Sequence, residues 1–372
     1  MPITSQPARP FLSASLIVRN EERVLGDCLS SIAPVVDEII VVDTGSTDRS
    51  RAIAESYGAR LIDFSWASDF SAARNTGLAA ASGRWILYID ADERLARVSR
   101  ERVQSLLAAD DLVAARLQLR PISGFTLYRE YRLFLNDPEI RFKGIIHEKV
   151  APDIDHLVRT RGMRIADVDL LLEHVGYDGP QDHKHRRNLP MLQAELALRP
   201  DNAYNWHHLG RVLDGLGDRP GALVAWRRAL AVARNDKRPQ PWKAAIYVEL
   251  IQAMETAPGE ARQLLDEAQS LFPGNPLLRF WEATLKSRAG DMGAALAIFH
   301  ALIAIDAEGL IDERSAFDKR LFGEHSFAAL GACNFKLGRY GESAAWYAKA
   351  SAADPACSEY RIKQQLAAAK AG

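Results

Sequence analysis

Residues 85–93, Trp-Ile-Leu-Tyr-Ile-Asp-Ala-Asp-Glu, run five apolar residues into three carboxylates, Asp90, Asp92 and Glu93. In extended backbone, alternate residues point the same way, so Asp90 and Asp92 would present their carboxylates on one side. Hard oxygen ligands at that spacing suit Mg²⁺ or Mn²⁺, and either ion neutralises a diphosphate and eases its departure. The competing reading makes these acids the cap and first turn of a helix. A second apolar run, Glu38-Ile39-Ile40-Val41-Val42, also ends in an acid, Asp43.

The elements that carry these acids follow a regular alternation. "LSASLIV" precedes the helical "NEERVLGDCLSSIAP", "DEIIVVD" precedes "STDRSRAIAESYG", "ARLIDF" precedes "DFSAARNTGLAAASG", and "RWILYID" comes next. Strands that are apolar throughout, interleaved with helices, predict a parallel sheet covered on both faces, an α/β doubly wound domain. Ligands of such sheets lie outside the carboxyl ends of the strands, where Asp43 and Asp90 fall. Asp69 reads as an N-cap, since a helix should begin there. Beyond about residue 112, "LVAARLQLRPI", "FTLYREYRLFLND" and "IRFKGIIHEKV" read as strands of an antiparallel or edge extension.

Taken in order, "SLIVRNEERVLGDCLSSI", "DEIIVVDTGSTDRS" and "DFSAARNTGLAAASGRWILYIDADE" resemble the family 2 glycosyltransferases, whose nucleotide-sugar-binding fold is called GT-A. The resemblance covers roughly residues 11–185. In that family a P-x-Y-N-E stretch holds the nucleotide. Here it reads Ile17-Val18-Arg19-Asn20-Glu21, with Ile17 and Arg19 in place of the family proline and tyrosine. Arginine can also stack on a base. The resemblance implies that Asp43 accepts the imide N–H of a uracil and that Arg74 of "ARNTG" donates to a phosphate. It makes Asp90 a contact to ribose or metal and Asp92 the main metal ligand. Glu93 stays open between a supporting group and a first-turn acid.

The resemblance implies an inverting transfer, which also needs a general base to deprotonate the acceptor. The resemblance implies a carboxylate after the D-x-D and a metal-binding histidine later still. Glu148 of "FKGIIHEKV" is the preferred base and His174 of "LLLEHVGYDG" the third metal ligand, with His147 an alternative for either task. His147 and Glu148 follow the apolar Ile145-Ile146, as residues leaving a strand end would. Arg129 and Arg132 of "YREYRLF" either meet the leaving diphosphate or an anionic acceptor, or face solvent from a strand. The expected cofactors are thus Mg²⁺ or Mn²⁺, with a UDP-sugar as donor.

After residue 185 strand signals give way to alanine-rich helical periodicity. A 34-residue helix-turn-helix template fits "NWHHLGRVLDGLGDRPGALVAWRRAL" through Trp206, Leu209, Gly210, Gly217, Ala222, Trp226 and Ala229. A second copy runs through Phe327, Leu330, Gly331, Gly338, Tyr347, Ala350 and Pro355. Weaker copies lie around Leu265, Ala268 and Pro273 and around Gly290, Ala295 and Phe299, with inserts near 234–241 and 308–322. This resembles a tetratricopeptide array of about four units, rather than an unrelated bundle. The expected division is therefore a GT-A domain over 11–185 and an all-α repeat domain over 186–372. Such arrays usually hold a peptide on their concave face, so the favoured acceptor is a polypeptide modified at Ser, Thr or Cys. The alternatives are a lipopolysaccharide or other cell-envelope glycan, and a scaffold with an inactive transferase domain. Repeat faces equally serve self-association, so a homo-oligomer stays open.

At 372 residues the chain is too long for one ordinary core. Its formal net charge of −1 gives no general basic field for nucleic acid. Three cysteines, Cys28, Cys333 and Cys357, are widely spaced, which argues against a disulfide framework or zinc cage. No stretch reaches the roughly 18 apolar residues of a membrane span, and the chain reads as cytoplasmic. Walker, dinucleotide-binding and zinc-protease motifs are missing.

Overall fold

A computed structural model describes residues 9–372 apart from 122–123, 177–181, 237, 239, 255–256 and 313–314, together with the side chain of residue 312. Its contacts divide the chain into two units, the first comprising residues up to 122, 128–201 and 215–217, the second residues 123–127, 202–214 and 218–372. The expected division after residue 185 falls inside a helix, Asp182–Leu198, that groups with the first unit.

In the first unit, β1 (Leu12–Val18), β2 (Glu38–Asp43), β3 (Arg60–Asp63) and β4 (Trp85–Tyr88) are parallel neighbours. They are joined through α1 (Leu25–Ile32), α2 (Ser50–Ser56) and α3 (Phe70–Ala80). Then come β5 (Glu93–Leu95), α4 (Arg100–Leu106), β6 (Leu112–Arg120), β7 (Leu127–Leu135), α5 (Ala151–Arg161), β8 (Arg164–His174) and α6 (Asp182–Leu198). The strand order is β3-β2-β1-β4-β7-β6-β8-β5, with β7 antiparallel to β4 and β6, and β5 antiparallel to β8. The sheet is therefore mixed, with a parallel half carrying an antiparallel extension.

Period-two alternation explains why these strands are apolar throughout. Trp85 and Leu87 pack with Leu16, Leu25, Leu29 and Ile32 on one face, while Ile86 joins Leu78, Phe134 and Phe142 on the other. Each such fully buried Ile or Leu contributes about 1.5–3 kcal/mol. Asp69 caps α3, its carboxylate accepting from the Ala72 amide at 3.0 Å.

The second unit is built of helical hairpins: α7 (Ala203–Gly215) with α8 (Arg219–Asn235), α9 (Lys243–Ala253) with α10 (Pro258–Leu271), α11 (Pro276–Arg288) with α12 (Met292–Ile303), and α13 (Glu324–Lys336) with α14 (Tyr340–Ala353), followed by α15 (Ser358–Ala371). This is a tetratricopeptide-like array. Its small residues have a steric reason, because a Cβ on Gly210 would come within 2.4 Å of the Trp226 ring atom Cδ1. One on Gly331 would meet the Tyr347 ring at 3.0 Å. Gly290 and Gly338 turn the later hairpins with φ of 89° and 72°. Lys243, 5% exposed, donates to the carbonyls of Asp236 and Arg238 at 2.7 and 2.9 Å. No helix among the described residues is long and apolar enough to cross a membrane.

Candidate active site

Strands β1, β2 and β3 stop level with one another, Val18 beside Asp43 and Asp43 beside Asp63. At this rim Asp43 is buried and accepts from the Ser46 amide at 3.2 Å and from Arg51 Nη1 at 2.9 Å. Burial alone would raise its pKa, but the hydrogen bonds from Ser46 and Arg51 outweigh that and hold it below the ordinary carboxylate range. Arg51 also bridges to Asp63. Across from Asp43, Ile17 is partly covered and Arg19 exposed. Asn20 turns the chain at φ 59° and accepts from the Thr47 amide at 2.7 Å. An acceptor at Asp43 flanked by the donor Arg51 suits the imide edge of a pyrimidine.

The D-x-D segment differs from expectation in one respect. Strand β4 ends at Tyr88, and Asp90 to Glu93 form a turn closed by the Glu93 amide donating to Asp90 O at 3.0 Å. Neither an extended run nor a helix start occurs here. Glu93, 1% exposed, makes the turn: its carboxylate accepts from the Asp90 amide at 2.9 Å and from Arg132 Nη2 at 2.6 Å. Consequently the two aspartates have different partners. Asp90 accepts from Arg74 Nη2 at 2.7 Å and lies 3.6 Å from Arg132 Nη1. Burial opposes its ionisation, yet Arg74 and Arg132 together hold it far below the usual carboxylate range. Arg74 also donates from Nε to Glu148 at 2.5 Å and lies over the rings of Tyr88 and Phe142. Arg132, on β7, is buried rather than solvent-facing and lies 4.3 Å from the Tyr88 ring centroid.

Asp92 meets His174 instead. Antiparallel pairing of β5 with β8 puts Glu93 opposite His174, and Asp92 Oδ2 lies 3.1 Å from His174 Nε2. That hydrogen bond raises the histidine pKa against the effect of its burial. A Cβ on Gly176 would stand 3.1 Å from His174 Nε2 and 3.2 Å from Asp92 Oδ2, so the glycine keeps open the space beside the pair. Glu21 belongs to the same electrostatic neighbourhood: its burial, with Asp92 and Asp48 nearby, pushes it up to about 7. One carboxylate and one imidazole in contact, with room beside them, suit a divalent ion of the Mn²⁺ or Mg²⁺ kind that keeps open positions for diphosphate oxygens and water. Among the described residues no three acidic, histidine or cysteine side chains gather closely enough to hold an ion alone.

Glu148 and His147 do not leave a strand. Residues 140–150, read above as a strand, form a loop whose only ladder contact is the bridge between Lys143 and Lys149. Gly144 at φ 111° and His147 at φ 55° bend it in ways a strand cannot follow. Helix α3 supplies the substitute partners. Asn75 exchanges two 2.9 Å hydrogen bonds with the Phe142 backbone, and the Phe70 amide donates to Ile145 O at 2.9 Å. Arg74, on the same helix, fixes Glu148, whose side chain is 11% exposed. Thus Arg74 joins Asp90 of the D-x-D turn to Glu148 of the loop.

Residues 13–171 match the model described as glycosyl transferase family 2. These residues are a family 2 glycosyltransferase domain. Three relatives extend the likeness. A TPR repeat-containing protein of Synechococcus elongatus is 36% identical over 269 residues, covering 70% of this chain and 65% of its own. The prophage-derived glycosyltransferase SunS of Bacillus subtilis is 28% identical over 240 residues, 62% of this chain and 56% of its own. The lipopolysaccharide core biosynthesis glycosyltransferase LpsC of Rhizobium meliloti is 40% identical over 119 residues, 30% of this chain and 42% of its own. The chain therefore spans less than two thirds of the length of these relatives.

Helix α6 lies beyond the residues matched to the glycosyltransferase family, and sequence reading assigned it no part in the site. Lys184 and Arg187 on α6 act electrostatically on Glu21, and Arg187 also on Arg19, while the Arg187 guanidinium lies 5.5 Å from the Phe70 ring centroid. The basic run His183-Lys184-His185-Arg186-Arg187 was the visible signal. Arg51 joins the candidate site through Asp43 and Asp63, and Arg132 through Glu93 and Tyr88.

Proposed function

We propose that the protein transfers a sugar, with inversion, from a UDP-sugar to a polypeptide side chain, Ser, Thr or Cys, with Mg²⁺ or Mn²⁺ as cofactor. The observation that carries this reading is the Arg74 bridge between Asp90 and Glu148, beside the Asp92–His174 pair. Asp43 and Arg51 read the base edge, with Ile17, Arg19 and Glu21 along the nucleotide's other side. Asp90 orients Arg74 and reaches ribose or metal. Asp92 and His174 would hold the ion, which would supply charge neutralisation at the leaving diphosphate. Glu148 takes the acceptor proton as the acceptor atom bonds to the anomeric carbon; the bond to the diphosphate breaks and its electron pair leaves with the phosphate oxygen. Arg74 keeps Glu148 in place for that step. His147, adjacent in the loop, is the alternative base. The peptide is held by the repeat unit, and a cytoplasmic setting fits a nucleotide-sugar donor.

The similarity to LpsC over 119 residues favours a second reading, in which the acceptor is a cell-envelope glycan. Thermal shift against a panel of nucleotide sugars with Mn²⁺ tests the donor, since a ligand that binds the folded state raises the melting temperature by mass action. Release of UDP in the presence of synthetic peptides, but not of core oligosaccharides, supports the peptide acceptor; the reverse supports the glycan. If no UDP-sugar stabilises or is cleaved by the protein, and Asp92→Ala changes nothing, the transferase reading is wrong.

A further inference from the structure

Helix α6 buries the face formed by Met191, Leu192, Glu195 and Leu196. A carboxylate in such a stripe is costly unless its oxygens are paired. Glu195 is 1% exposed, and both its oxygens are used. One accepts from Arg199, a turn further along the helix, and the other from the Ile145 amide at 2.8 Å. Ile145 lies in the middle of the 143–149 loop, and its carbonyl is already taken by the Phe70 amide. Ser71 adds a hydrogen bond from its hydroxyl to Gly144 O. The loop is thus held by α3 on its carbonyls and by Glu195 on an amide that α3 does not reach. A left-handed residue such as His147 persists only where its surroundings over-determine the backbone, and this two-sided grip does so.

We infer that Glu195 is a positioning residue: it fixes Ile145, and through the short loop keeps the Glu148 carboxylate on Arg74 where the acceptor proton is taken. The inference rests on the reading of Glu148 as the base. It also makes α6, outside the residues matched to the family, part of the machinery of the domain.

Full-length Glu195→Ala, Glu195→Gln and Glu148→Ala test it by two measurements. One is hydrogen exchange across 143–149, with β1 and β2 as internal reference. The other is UDP release from UDP-glucose, UDP-N-acetylglucosamine and UDP-galactose with Mn²⁺. Glu195→Ala is expected to speed loop exchange at least tenfold with β1 and β2 unchanged. It should also lower kcat at least tenfold while the donor KM stays within twofold. Glu195→Gln, which keeps an acceptor for the Ile145 amide and lets the half-exposed Arg199 swing outward, is expected to restore most of both. Unchanged loop exchange in Glu195→Ala overturns the inference, as does exchange that rises equally in β1 and β2 with no rescue by Gln. Turnover lost in Glu148→Ala but kept in Glu195→Ala overturns it too. Wild-type turnover in Glu148→Ala instead removes the base assignment, and the exchange result then judges the hold on the loop by itself.

Discussion

Replacing Arg74 by Met tests the centre of the site. Arg74 is 10% exposed in its side chain and serves Asp90 and Glu148 at once, so Met fills much of its volume but orphans two carboxylates. Asp90, 35% exposed and still near Arg132, is partly relieved by solvent, whereas Glu148 at 11% is not. Removing one member of a buried ion pair costs about 3–5 kcal/mol, and the exposure of Asp90 puts the expected loss near the lower end, about 3 kcal/mol. For a domain of roughly 150–250 residues each kcal/mol moves the melting temperature by about 2–4 °C, so the first unit should melt about 6–12 °C lower at pH 7. The deficit should shrink as the pH falls, because protonation neutralises the orphaned Asp90, which Arg74 helps hold far below the usual carboxylate range in the wild type. Adding Glu148→Met should recover part of it, since the double variant leaves one fewer buried charge unpaired. Calorimetry at pH 7 and pH 5 on the wild type, both single variants and the double variant measures this. An Arg74→Met protein that melts within about 1 °C of wild type at pH 7, against the shift expected from the lost pair, refutes the claim that Arg74 couples the turn to the loop.

Gly176→Ala should abolish most of the Mn²⁺-dependent rise in melting temperature with UDP, because its Cβ would crowd both His174 and Asp92; an unchanged rise separates these residues from the ion. Asp43 has a depressed folded pKa, so its stabilising contribution is present above its unfolded value of about 4 and is lost as pH falls through the folded one. Melting curves of Asp43→Asn against wild type should therefore converge on the acid side and differ at neutral pH. In the helical array, Gly210→Ala should destabilise by about 1–3 kcal/mol and Gly331→Ala by less, since their Cβ atoms meet ring atoms at 2.4 and 3.0 Å. Gly293→Ala, with open space around it, should be neutral or slightly stabilising in urea titration.

The parallel half of the sheet was legible because β2 and β4 are apolar runs buried on both faces, and β1, despite Ser13 and Ser15, ends in the apolar Leu16-Ile17-Val18. Asp43 was legible as a candidate because it ends the apolar run of β2, and Arg74, Asp90 and Asp92 because they follow it in the order of the family motifs. The hairpin array was visible through residues such as Gly210 and Trp226, which need one another sterically. What escaped depended on partners far away in sequence. Glu93 and Arg132 each stay open between two readings in sequence, and what decides is Arg132 donating to Glu93 while it lies against the Tyr88 ring. The segment 140–150 has strand composition, but Asn75 supplies ladder-like hydrogen bonds from a helix, and Gly144 and His147 take left-handed backbone. Glu195 carries a charge on a buried stripe, where periodicity alone expects an apolar side chain.

The strand order has a consequence for how the chain is made. Strand β8 is the last strand of the first unit to leave the ribosome, yet it is inserted between β6 and β5 rather than added at an edge. Until it docks, β5 lacks its neighbour and Asp92 lacks the imidazole that lies 82 positions later in the chain. A nascent chain stalled before residue 174 can thus assemble the rim around Asp43 and still have half of its polar centre unformed. Contacts of such long sequence separation form late. The pairing of Asp92 with His174 is therefore a marker that β8 has docked between β6 and β5.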